Sequence, residues 1–281
     1  MKIVRDVSEM RSMQSQFTRP IGLVPTMGAL HLGHLSLVER ARQENSCIVV
    51  SIFVNPTQFG PNEDYLTYPR DIDKDLALLD DHKVDILFAP DPTGLYPDGF
   101  DTWIDIGRIA NRLEGSSRPG HFRGVATIVT KLFGIVKPDK AYFGQKDAQQ
   151  VRIIERINTD LNLGVEVIAM PTIREEDGLA MSSRNVHLDN KQRQAAVVLY
   201  GALRAAKKMH ERGHNQASAI KQAMDSYIKG EPLATVDYIS IADPFDLTEV
   251  KTIHGSALVS LAVRIGNTRL IDNITLHNPH K

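Results

Sequence analysis

Cysteine is almost missing from this chain. Cys47 stands alone among 281 residues, so the fold has no internal disulfide to draw on. A lone thiol beside Ile48, Val49 and Val50 reads as a buried strand residue, and a reducing compartment is the expectation. Charge of one sign is missing too: 33 lysines and arginines face 34 acidic residues, for a net charge of −1. Without a global basic field, nucleic acid is not expected as the main partner. No apolar run approaches the roughly 18 residues of a membrane span, and residues 1–11 lack the apolar stretch of an export signal, so a cytoplasmic protein without a membrane partner is expected. Aromatics are only 6%, yet an apolar content of 42% over this length can fill a large domain, or a large one and a small one.

Short β-branched runs bounded by turn residues recur through the first half, at 21–24, 48–54, 84–88, 141–143 and 165–170. Between most of them, 35–43, 73–79, 126–136 and 147–161 can each place apolar residues on one helical face. The alternation predicts an α/β fold, a Rossmann-like parallel sheet wound by helices. Ligands of such sheets sit beyond the carboxyl ends of the strands, which points to the loops after the first, second and fourth runs. Near Pro171 the pattern changes. Asp189 with Gln192 makes a capping-box pattern for a helix running to about 210, and a second helix fits 216–228. Strands are expected at 236–241, 257–263 and 269–276, the last two joined by Gly266-Asn267. The expected organisation is a Rossmann-like domain over 1–172 and a smaller α+β domain over 173–281.

The segment Pro25-Thr26-Met27-Gly28-Ala29-Leu30-His31-Leu32-Gly33-His34 joins the first strand to the first helix. A strand, a small-residue turn and a helix start make an anion site. Free backbone amides and the positive helix end favour phosphate, and Gly28 and Gly33 let a nucleotide approach the backbone. His31 and His34, three apart, project from one side of the first turn. A metal pair is the alternative, but no third cluster of Cys, His or carboxylates stands at a telling spacing. His31-Leu32-Gly33-His34 has the form of the HxGH signature of the nucleotidylyltransferase and class I synthetase superfamily. Met181-Ser182-Ser183-Arg184 resembles the second, KMSKS-type loop of that superfamily, in the expected order.

Two further segments end strands where a ligand is expected: Asn55-Pro56-Thr57-Gln58-Phe59-Gly60, and Phe143-Gly144-Gln145-Lys146-Asp147-Ala148-Gln149-Gln150. With Arg118-Pro119-Gly120-His121-Phe122-Arg123-Gly124-Val125 and the histidine and serine motifs, they resemble the motif set of the pantothenate synthetase family over about the first two thirds of the chain. The resemblance implies ATP-dependent activation of pantoate as an acyl-adenylate, then amide formation with β-alanine, with release of AMP and pyrophosphate. It also implies Mg²⁺ and a homodimer. It assigns ATP contacts to Met27, Gly28, Ala29, Leu30, His31, Leu32, Gly33, His34, Gly144, Gln145, Lys146, Asp147, Ile173, Met181, Ser182, Ser183 and Arg184. Among these, His34, His31, Lys146 and Arg184 carry catalysis. Pantoate and β-alanine fall to Pro25, Asn55, Gln58 and Gln150.

Blander readings stand beside several of these. Lys146 also reads as a solvated surface lysine, Asp147 with Gln150 as a capping-box pair, and Asn55 as a residue that positions Gln58. Asp71, Asp73 and Asp75 read as a charged helix start rather than metal ligands, and no metal ligand is assigned, because nucleotide-bound Mg²⁺ is held mostly by phosphate oxygens and water. The small domain is expected to act as a lid carrying MSSR, keeping water from the mixed anhydride.

Overall fold

A computed structural model describes residues 1–61 and 63–277. The chain clusters into two compact units, Met1–Gln145 with Gln149–Pro171, and Lys146–Ala148 with the chain from Thr172 on. Up to Met170 the elements are β1 (Lys2–Val4), α1 (Val7–Met13), β2 (Ile21–Thr26), α2 (Leu32–Glu44), β3 (Cys47–Ile52), α3 (Ile72–Asp81) and β4 (Ile86–Phe88), then the short α4 (Pro92–Leu95) and α5 (Glu114–Ser117). They continue with α6 (His121–Val136), β5 (Lys140–Gly144), α7 (Ala148–Asp160) and β6 (Glu166–Met170).

The six strands of the first unit form one parallel sheet in the order β1-β4-β3-β2-β5-β6. Alternate side chains feed two cores, as a pleated strand covered on both faces requires. Cys47 and Val49 of β3 join Ile21, Leu23, Ile86 and Phe88 and the apolar side of α6 and α7. Ile48 and Val50 point the other way, with Val24, Leu87 and Tyr142, toward Leu37, Val38 and Ala41 of α2 and Leu79 of α3. Burial pushes the Cys47 thiol up to about 11, in keeping with a packing role.

The parallel α/β sheet agrees with expectation, while several details differ: α6 begins at His121 rather than 126, and the short α4 and α5 were not expected. β1 and α1 were not anticipated; β1 is only three residues long and gains its identity from pairing with β4, which its own sequence does not announce. α2 starts at Leu32 rather than 35, because His31 is its cap and its first turn is built from polar residues invisible to apolar periodicity.

In the second unit, α8 (Asn190–Ala195), α9 (Val198–Glu211) and α10 (Ala217–Lys229) precede β7 (Ala234–Ala242), β8 (Ala257–Ile265) and β9 (Thr268–Leu276). The strands form an antiparallel sheet, β7-β8-β9, whose Val259, Leu261 and Val263 pack with Leu199, Leu203, Ile220 and Met224 of the helices. Asp189 and Gln192 do form the capping box, but the expected single helix is two. At Ala196 and Val197, ψ values of −22° and −19° mark a tighter turn between them. The β8–β9 hairpin turns through Gly266-Asn267 as expected, Gly266 taking φ of 58°.

Candidate functional site

Strand order reverses at β2. The chain proceeds from β2 to β3 and β4 on one side, then returns to place β5 and β6 on the other, so a crevice forms at the carboxyl ends of β2 and β5. A Cβ built on Gly144, the last residue of β5, would meet no protein atom within 4 Å, so that strand end opens on free space. The loops after β2, β3 and β5 carry the HLGH, NPTQ and GQKD segments.

The turn after β2 is held by its own amides. Thr26 Oγ1 donates to Ser51 O at 2.8 Å and accepts from Gly28 N at 3.2 Å. Gly28 and Ala29 then take φ of 81° and 50°. A side chain at Gly28 would be strained by that φ and would lie 3.0 Å from Asp75 Oδ2. Asp75, buried on α3, accepts Ala29 N at 2.9 Å on one oxygen and Leu30 N at 2.7 Å on the other. Burial pushes its carboxyl above the ordinary value, and these two hydrogen bonds pull back toward the ionised form.

His31 caps α2 and accepts Gly33 N at Nδ1 (3.1 Å), while His34 Nδ1 accepts His31 N (3.4 Å). The two rings lie 4.0 Å apart, tilted by 34°. Because each Nδ1 accepts, a neutral ring carries its proton on Nε2, and both imidazoles are donors through that atom. The expectation of free backbone amides is therefore corrected. Gly28, Ala29, Leu30, His31 and Gly33 all donate to side chains of the protein.

The loop after β3 is a 3-10 turn, Pro56–Gln58, capped by Asn55. Asn55 is 1% exposed. Its Nδ2 donates to Gln58 Oε1 (3.1 Å) and Gly124 O (3.2 Å), and its Oδ1 accepts from Tyr96 (3.0 Å) and Thr57 (2.9 Å) hydroxyls. Asn55 thus orients Gln58, whose Nε2 is left as a donor and meets Met27 Sδ at 3.1 Å. α6 packs against this turn so closely that a Cβ on Gly124 would fall 2.4 Å from Thr57 O. The RPGH segment grips the turn from the same side. His121 Nδ1 meets Gln58 O at 2.8 Å, Arg118 lies 3.1 Å from His121 Nε2, and Arg118 pairs with Glu63 at 2.5 Å. Burial, then the Arg118 charge, lower the His121 pKa to about 4, so the ring is neutral, donates to Gln58 O and accepts from Arg118.

In the second unit, Lys146 Nζ lies 3.6 Å from Asp147 Oδ1 within a 3-10 turn, Gln145–Asp147. Residues 172–181 double back through the Arg174–Ala180 bridge, and Met181 N donates to Ile173 O at 3.0 Å. Ser182 then caps a 3-10 turn, Ser183–His187, accepting Arg184 N at 3.3 Å. Ser183 is buried; Ser182 and Arg184 are partly so. Arg193 ties the hairpin to α8 through Glu175 and Asp177 at 2.5 and 2.7 Å.

Pro25 lies near the end of β2, Met27 in the turn that leads to the histidines, Leu32 stands exposed at the start of α2, and Gln150 lies in the first turn of α7. Among the described residues, no group of three or more His, Cys, Asp or Glu is placed to hold a metal ion. Asp71 is the N-cap of α3, as a charged helix start requires, whereas Asp75 has the separate task described above. Sequence reasoning gave no task to Thr26, Tyr96, Arg118 or His121, and read Asp75 only as part of a charged helix start. For Arg118 and His121 a signal existed in the RPGH motif; Asp75 reaches across 45 residues to Leu30, which no local pattern encodes.

The family model described as pantoate-beta-alanine ligase matches residues 2–275. A pantothenate synthetase of Roseiflexus sp. (strain RS-1) is 56% identical over 276 residues, spanning 98% of this chain and 99% of the relative. The crystal structure of pantothenate synthetase from Thermus thermophilus is similar with a TM-score of 0.93 at 45% identity, over 98% of this chain and 99% of that one. A pantoate-beta-alanine ligase from Francisella tularensis, complexed with beta-gamma ATP and beta-alanine, is similar with a TM-score of 0.82 at 38% identity, over 98% and 97%.

Proposed function

The chain belongs to the pantoate-beta-alanine ligase family, and from that premise we propose how its residues carry the reaction. The protein is an ATP-dependent ligase that forms the amide bond of pantothenate from pantoate and β-alanine. A pantoate carboxylate oxygen attacks the α-phosphorus of ATP and pyrophosphate leaves. The amine of β-alanine then attacks the acyl carbon of the pantoyl-adenylate, AMP leaves with the electrons of the broken acyl–oxygen bond, and the amine gives up its proton to water.

The observation that carries the assignment of residues is the paired ring geometry of His31 and His34 at the switch point, with both Nδ1 atoms occupied and both Nε2 atoms set as donors. Negative charge grows on the α-phosphate and on departing pyrophosphate, and fixed donors lower the barrier most where charge grows. His31 and His34 take that task as hydrogen-bond donors through Nε2, and Lys146, Ser182, Ser183 and Arg184 add charge and hydroxyls. Gln58, oriented by Asn55, offers its Nε2–H to pantoate or β-alanine beside Pro25 and Met27, with Gln150 as a second contact. Gly144 leaves room for the nucleotide. Mg²⁺, if it accompanies ATP, would be held mostly by phosphate oxygens and water and would offset phosphate charge; no residue of the chain is assigned to it. A homodimer and a cytoplasmic location complete the proposal; no described helix is long and apolar enough to cross a membrane.

The decisive assay follows pyrophosphate release from ATP with pantoate alone, β-alanine alone, and both. Release that needs pantoate, with pantothenate formed only after β-alanine is added, is expected. Replacing His34 by alanine is expected to lower adenylate formation by about 10²–10³-fold with the fold intact. An undiminished rate in that variant would remove the histidine from the chemistry.

A further inference from the structure

Lys146 and the MSSR loop lie far apart in sequence, yet one short stretch of β9 is bonded to both the Lys146 turn and the hairpin that leads into MSSR. Asn273, 5% exposed, donates from Nδ2 to Lys146 O at 2.8 Å. Its neighbour Asp272, 3% exposed, takes Arg174 in a two-pronged pair at 2.6 and 2.9 Å. Arg174 in turn donates to Gly178 O (3.0 Å) and Asn273 O (3.4 Å), lies 4.1 Å from the Tyr200 ring, and forms the Arg174–Ala180 bridge. The bridge ends one residue before Met181, whose amide is bonded to Ile173 O.

Both oxygens of the Asp272 carboxylate are engaged, and the Asn273 amide is aimed at a main-chain carbonyl rather than at solvent. A carbonyl bond of this kind fixes the backbone from which the Lys146 side chain springs without using its ammonium group. Side chains that serve only the packing of β9 need no amide here; the aliphatic neighbours Leu270 and Leu276 do that work.

We propose that Asn273 is a positioning residue of the ligase: through Lys146 O it sets where the Lys146 ammonium stands, and through the adjoining Asp272–Arg174 pair it keeps that ammonium in register with Ser182, Ser183 and Arg184. The proposal rests on the reading of Lys146 and MSSR as phosphate-binding groups. Its chemical consequence is selective. A misplaced ammonium weakens stabilisation of the departing pyrophosphate, while pantoate, held by other residues, binds as before.

The test is pantoate-dependent ATP–pyrophosphate exchange in Asn273→Ala, Asn273→Ser and Lys146→Ala, with melting temperatures recorded for each. Displacing a reacting group by about 1 Å costs on the order of 10²-fold in rate. Asn273→Ala is expected to lower exchange kcat at least about tenfold with pantoate KM within about twofold, and Asn273→Ser, which keeps a donor, to recover part of the rate. Should the alanine variant fail to fold, the serine variant carries the same split between kcat and pantoate KM. Native kcat in Asn273→Ala beside an inactive Lys146→Ala overturns the positioning role and leaves Lys146 standing. So does a loss of kcat that tracks the melting temperature and spreads equally to pantoate KM. Native exchange in Lys146→Ala overturns the reading of Lys146 itself, and the proposal with it.

Discussion

The turn at 26–34 and the hairpin at 172–185 are secured by different chemistry. In the turn, five backbone amides donate to Thr26, Asp75, His34 and His31, and the two histidines are at once the anchors and the groups presented. In the hairpin, the long-range anchors are ion pairs, Arg174 with Asp272 and Arg193 with Glu175 and Asp177, while within the presented segment Ser182 caps its own 3-10 turn by accepting Arg184 N. The first arrangement makes function and local structure inseparable. In the second, the charged supports Arg174 and Arg193 are residues other than Ser182 to Arg184, so they can be altered without replacing the presented side chains.

The contrast breaks hardest at Arg174. Asp272 is buried, and removing its partner leaves a carboxylate without compensation, which costs about 3–5 kcal/mol. Arg174→Met is expected to lose that much unfolding free energy in urea melts, and Asp272→Leu added to it to restore part. A loss below about 1 kcal/mol, the level of an exposed pair, would mean that charge does not hold the hairpin.

Protonation tests the first unit at its own charged clamp, where His121 and Arg118 grip the Gln58 turn. The folded His121 pKa of about 4 lies below the ordinary 6.5, so folding favours the neutral ring. The stabilisation is whole above pH 6.5, declines as pH falls, and is spent below pH 4; the shift corresponds to at most about 3 kcal/mol. His121→Gln, which can still donate to Gln58 O and accept from Arg118, is expected to flatten the pH dependence of stability between 6.5 and 4. An unchanged slope would place the proton uptake elsewhere.

These anchors mark where the sequence could and could not be read. His31 and His34 are three apart on a helix start, Asp189 and Gln192 form a capping box, and Gly266-Asn267 closes a hairpin; each is a local rule, and each was legible. The parallel sheet followed from alternating periodicities of the same kind. Asp75 on Leu30, Tyr96 on Asn55 and Asn273 on Lys146 join residues 45, 41 and 127 positions apart, and only the assembled fold brings them together. The free amides expected at the turn failed for that reason: the carboxylate that takes two of them arrives from α3.

The smallest expected effect on the fold sharpens the comparison most, because it separates room the chain needs from room it leaves for a ligand. At Gly28 the chain itself demands glycine, through a φ of 81° and the nearby Asp75 oxygen. At Gly144 neither demand exists: its φ is not positive, and an added Cβ meets no protein atom within 4 Å. Gly144→Ala should therefore leave stability unchanged or raise it by roughly 0.5–1 kcal/mol, since glycine inside a strand carries an entropic cost. A methyl group there projects into the space at the ends of β2 and β5. If the nucleotide fills that space, steady-state kinetics will show the KM for ATP rising by about tenfold, equivalent to about 1.4 kcal/mol, with the KM for pantoate unmoved. A native KM for ATP would take Gly144 out of the nucleotide contacts, while Gly28 would remain a glycine required by the chain itself.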